Sequence, residues 1–158
     1  GDDDLPSTSS SSSDPGEDER ATRRLARRLG RTRYKVADEV KVGQLPTAAQ
    51  FRAWRNTVLQ NINAASGRPD DKALTWARRA LDLEGVTDKD LSVVETRFAL
   101  LDKRLSASLQ KIATGELGRL ITHEAEAALK VGRSLRGLEI LRIILRYYQT
   151  NRTADVVF

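Results

Sequence analysis

The stretch Leu45–Gly67, LPTAAQFRAWRNTVLQNINAASG, decides the fold. Phe51, Trp54, Val58 and Ile62 recur at the spacing of one face of a 3.6-residue helix, and Arg52, Arg55, Asn56 and Gln60 fall mostly on the remaining surface. Thr47 followed three residues later by Gln50 is a capping-box pattern, Pro46 fixes the entry, and Gly67 with Pro69 marks the exit. The signals predict a helix from about Ala48 to about Ser66, with Trp54 as its largest buried group.

Working outward, four more helices are expected. Asp70 or Asp71 caps a second one, whose face is Ala73, Trp76, Ala77, Ala80 and Leu81 and which Gly85 closes. Trp54 and Trp76 read as core partners on adjacent helices rather than as exposed base-stacking rings. Ser92 and Glu95 suggest a second capping box opening a third helix, the longest, with the stripe Phe98, Leu101, Leu105, Leu109 and Ile112. Thr114 and Gly115 interrupt it. A fourth segment runs over 116–130 on Leu117, Leu120, Ile121, Ala125, Ala128 and Leu129. The fifth, about 134–149, is apolar nearly all round, so it lies at the centre of the core or offers a face to another subunit. Val36, Val40 and Val42 predict a short extended arm laid against the domain. The expected class is all-α: about five helices in one compact bundle behind a disordered charged arm.

The 158 residues carry a net charge of +5, which hides a segregation. Residues 1–19 hold seven acids and no base, and residues 20–35 hold eight bases and no acid. The acidic, serine-rich segment 1–19 has too little apolar surface to offset the entropy of ordering and is expected to be disordered. Ser11, with Asp14 three residues on, is a candidate phosphorylation site whose charge would compete for the neighbouring arginines. Residues 20–44 read as a basic arm and linker, 45–150 as the helical domain and 151–158 as a tail. In the arm, Arg23, Arg24, Arg27 and Arg28 would share one broad face of a helix ended by Gly30, and Arg31, Arg33 and Lys35 extend the charge. Arginine exceeds lysine seven to one, which favours phosphate recognition through the planar guanidinium. Only Tyr34 offers a stacking ring, so the contact expected is with backbone and not base-specific. An inert arm, an import signal and membrane adhesion are the competing readings, in that order.

Several classes are set aside. With no cysteine, disulfides, thiol nucleophiles and thiolate zinc sites are excluded, a Cys/His zinc knuckle among them. The one histidine, His123, has no second ligand at metal spacing and reads as a surface residue. No glycine loop for phosphate and no nucleophile–base pair is visible; Asp70–Asp71 and Asp88–Asp90 sit where helix starts favour negative charge. The chain reads as no enzyme, with no catalytic, metal or cofactor residues. No apolar run approaches the roughly 20 residues of a membrane span, and no signal-peptide pattern occurs. The compartment expected is intracellular: cytoplasmic, with the nucleus as the alternative. The absence of methionine, even at position 1, points to a fragment or a cut polyprotein product.

Leu45, a polar spacer, Phe51 and then Trp54 on a helix resemble the opening of the Gag domain of copia-type long-terminal-repeat retrotransposons. FALLDKRLSASLQKIATGELGRLI resembles that family's Leu- and Ala-rich stretch ending in an L-x-x-L turn, here Leu117 and Leu120. SLRGLEILRIILRYYQ resembles its closing helix, with Ile140 or Leu141 where the family usually has tryptophan, and with Ile144 and Tyr148 farther on. The likeness covers about Leu45 to Gln149. It implies a structural Gag or capsid-like protein that self-associates into a virus-like particle around its RNA, the arginine arm neutralising packaged phosphate. The alternative is a helical nucleic-acid-binding regulator whose domain serves for dimerisation.

Overall fold

The computed structural model describes residues 15–26 and 34–157, which fall into two units divided between Tyr34 and Lys35. Seven α-helices and no strand occur among them. The first unit contains α1 (Pro15–Ala26). The second contains α2 (Phe51–Ala65), α3 (Lys72–Arg78), α4 (Asp88–Ser92), α5 (Ala99–Ile112), α6 (Gly115–Lys130) and α7 (Gly137–Val157), with 3₁₀ turns at Ala48–Gln50, Arg79–Leu81 and Thr96–Phe98. None of the described helices is long and apolar enough to cross a membrane.

The lead stretch folds as its periodicity dictates. The 3₁₀ turn and α2 together span 48–65, and the Gln50 side chain reaches back to accept the Thr47 N–H at 3.4 Å. Ser66 caps the end and Gly67, at φ +70°, turns the chain out through the left-handed region. Val58 and Ile62 are fully buried, while Leu45, Phe51 and Trp54 pack partly buried against the same core. Trp54 keeps its edge near the surface because its indole N–H donates to the Val42 carbonyl at 2.8 Å. The two tryptophans find different ring partners: Trp54 stacks near Phe51, and Trp76 lies 5.0 Å from Phe98. Val40 and Val42 are buried from an irregular segment. It is held where Val40 N–H donates to the Ser108 hydroxyl and Ala37 N–H to the Ala65 carbonyl.

Helix α7, and not α2, is the element against which the rest is arranged. It packs on α5, α4, α6 and both the 79–81 and 48–50 turns, while α2 packs mainly on α3 and α5. Leu138, Ile140, Leu141, Ile144, Leu145 and Tyr148 are all buried, so its near-continuous apolar surface serves the core. At 21 residues it is also the longest helix, where the expectation was the third. It reaches Val157, so 151–157 is helical and not a tail.

Other boundaries differ for physical reasons. The third helix does not start at a Ser92–Glu95 box. Ser92 closes α4, its carbonyl accepts from Arg136 at 3.0 Å, and Glu95 pairs with Arg79 and Arg97. Extended Val93 (φ −81°, ψ 131°) breaks the helix, and α5 begins only at Ala99. The capping box sits earlier, with Asp90 N–H donating to Thr87 Oγ at 3.0 Å and Thr87 N–H to Asp90 Oδ2 at 2.9 Å. The second helix ends well before Gly85. On α6 the L-x-x-L pair divides, Leu117 being buried and Leu120 43 % exposed, and Leu129 also faces outward. In α5, Leu105 and Leu109 are fully buried and Ile112 partly so.

Candidate nucleic-acid interface

Helix α1 crosses the junction between the acidic and basic segments, with Glu17 and Asp18 in its first turn and Arg23 and Arg24 in its last. Both ends thereby match the helix dipole. Thr22 Oγ donates to the Asp18 carbonyl at 2.9 Å, and Arg23 pairs with Glu19 one turn earlier at 3.3 Å. Residues 15–19 are thus helical where disorder was expected. Arg24 is exposed and has no ion-pair partner among the described residues. Lys35 is exposed at the start of the second unit. Arg27, Arg28, Arg31 and Arg33 lie outside the described residues, as do Gly30 and the Ser11–Asp14 pair.

The polar side chains buried in the second unit are tied to its architecture. Arg142 is 2 % exposed, and all five of its N–H groups are used. Nε donates to Ala80 O at 3.0 Å, Nη2 to Arg79 O and Asp82 O at 2.9 and 2.8 Å, and Nη1 to Val86 O and, at 3.1 Å, to Asp88 Oδ1. One guanidinium thereby satisfies the carbonyls left open where the second helix ends and fixes the 79–88 turn onto α7. Asp102 on α5 does the complementary task at the other end of the helix. Its carboxylate accepts from Gly137 N–H at 2.9 Å and Leu138 N–H at 3.2 Å, at the positive N-terminus of α7. Burial pushes the Asp102 carboxyl above its ordinary range despite those two bonds. Neither residue stood out in the sequence as a site. The available signal for Arg142 was its place on the one polar stripe, Glu139, Arg142, Arg146 and Gln149, of an otherwise apolar helix.

Asp88 sits at the edge of this network, hydrogen-bonded first by Arg146 at 2.8 Å and then by Arg142, which hold its carboxyl below the ordinary 3.8. A carboxyl whose folded-state pKa is lowered contributes stability that is present above 3.8 and lost as pH falls through the folded value. Asp88→Asn is therefore expected to lower neutral-pH stability by about 1 kcal/mol or less, because the group is largely exposed. It is also expected to flatten the fall in stability below pH 3.8. Urea melts from pH 2 to 7 read both effects, and parallel acid limbs for the two proteins would refute the assignment.

His123 is exposed on α6, and no cluster of three metal-ligating side chains occurs among the described residues. An open groove of about 590 Å³ lies between the start of α2 and the C-terminal half of α7, lined by Phe51, Arg52, Arg55, Leu145, Tyr148 and Gln149 among others. No protein-family model, curated protein or solved structure matches the chain.

Proposed function

We propose that this chain is a non-enzymatic structural protein of the Gag or capsid-like kind, which self-associates and packages RNA. Its helical unit supplies protein–protein contacts, and its arginine arm neutralises phosphate without reading sequence. What carries this reading is the division of labour among side chains. The buried Arg142, Ser106 and Ser108 and the part-buried Asp102 hold helix ends, linkers and turns. Meanwhile apolar Val93, Leu129 and Val131 stand 66 %, 66 % and 75 % exposed, side chains open to subunit contacts. The resemblance of 45–149 to copia-type Gag domains points the same way.

Light-scattering mass at low and high salt, with and without a mixed-sequence RNA, tests the reading. The expected result is growth to very large species, promoted by RNA and reversed by salt, because open contacts keep adding subunits and phosphate neutralisation is screened. A mass fixed at monomer or dimer that binds RNA without growing would replace it with the dimeric regulator.

A further inference from the structure

We infer that the groove between α2 and α7 is a second binding surface for a nucleic-acid backbone, built on the folded unit itself and independent of the arginine arm. It rests on the reading of this chain as an RNA-packaging protein.

Two acid-free stretches meet there. Residues 40–69 contain four bases (Lys41, Arg52, Arg55, Arg68) and no acid, and residues 140–154 contain three bases and no acid, in a chain with 22 acids. The groove lining draws on both stretches, carries Arg52 and Arg55, and includes no carboxylate. Six guanidinium groups of the unit are neutralised, Arg68, Arg79, Arg97, Arg133, Arg142 and Arg146 each lying 2.8–3.6 Å from a carboxylate oxygen, while Arg78 and Arg119, like the groove pair, have no such partner among the described residues. Arg52 is exposed and has no hydrogen-bond or ion-pair partner among the described residues. Arg55 touches only the neutral Asn56 carboxamide oxygen, at 3.4 Å. Two charges one helical turn apart, in a groove whose lining holds no carboxylate, form a focus of positive potential.

The shape and chemistry of the groove select the occupant. It is open to solvent, so it suits a surface-bound chain better than an enclosed small molecule. Its floor is closed to intercalating bases, because Phe51 and Tyr148 stack on each other at 4.6 Å and the Tyr148 hydroxyl is tied to the Pro46 carbonyl at 2.6 Å. Guanidinium forks on the rim and aromatic side chains already engaged below match a phosphate backbone bound without base readout.

The test compares full-length chains by fluorescence anisotropy with a labelled, mixed-sequence single-stranded RNA over a range of salt. The groove variant is Arg52→Gln with Arg55→Gln, and the arm variant is Arg23, Arg24, Arg27 and Arg28 to Gln. Arg119→Gln on α6 is the control, and Arg52→Gln alone, at an exposed position, guards against a folding effect. Each lost phosphate contact on a single strand shallows the log–log salt slope by about 0.7, so the groove variant should shallow it by about 1.4. The single Arg52 variant should give about half of that, with Arg119→Gln unchanged and thermal melts of Arg52→Gln matching the parent. A groove variant with the parent's slope and affinity, alongside a weakened arm variant, overturns this inference and leaves the arm reading standing. An unchanged arm variant beside a weakened groove variant does the reverse. Competition by polyglutamate but not by RNA would assign the groove to acidic peptides and overturn the nucleic-acid occupant.

Discussion

Arg142→Met is expected to destabilise the second unit by about 3–5 kcal/mol, a large part of the 5–15 kcal/mol typical of a whole domain. Methionine fits the volume and the apolar surroundings, so the loss is not one of packing. It comes from four backbone carbonyls, at Arg79, Ala80, Asp82 and Val86, that lose their buried donor at once. Arg142→Lys should recover little of it, since an ammonium carries three donors on a flexible stem and cannot span the same five acceptors. Urea unfolding followed by circular dichroism gives the magnitude, and amide exchange over 79–88 gives the location. A midpoint shift equivalent to under 1 kcal/mol would show that the network contributes little.

Gly67→Ala is expected to cost about 2–4 kcal/mol, from two sources that add at this position. The backbone is left-handed there, at φ +70°, and a Cβ would stand 2.3 Å from the Lys35 carbonyl oxygen, so the chain entering the second unit must move off α2. Gly132 is the built-in comparison. At φ +79° it shares the backbone conformation, but nothing lies within 4 Å of its Cβ position, so Gly132→Ala should cost only about 1–2 kcal/mol. Equal shifts in thermal midpoint for the two variants would remove the steric part of the explanation.

The helices that were legible in the sequence are those whose apolar residues keep one face. α2, α5 and α6 declare themselves by stripe and by breaker, and Gly67 and Gly115, both at positive φ, fall where the punctuation was read. What was hidden depends on partners distant in the chain. The true start of α7 is set by Asp102, 35 residues earlier, and the early end of the second helix by Arg142, some 60 residues later. A local capping pattern such as Ser92–Glu95 loses once Arg136 claims the Ser92 carbonyl and Arg79 claims Glu95. The candidate interface divides the same way. The arginine arm is conspicuous as composition, whereas Arg52 and Arg55 read as an ordinary polar helix face until the fold brings the second acid-free stretch, on α7, beside them.

Helix α7 is the last helix in chain order among the described residues, yet the core closes around it. A ribosome adding about 5–20 residues per second releases α2 through α6 seconds before that helix is complete. During that interval Leu101, Leu105 and Leu109 of α5, all fully buried in the finished unit, lack part of their cover, because the α7 surface that packs on α5 has not yet been synthesised. Both tethers that seat α7 close long stretches of chain, so they form after translation has delivered it and not as local events along the way. The unit therefore forms only once α7 has been translated, and nascent chains halted before Gly137 present unsatisfied apolar faces to chaperones and to one another.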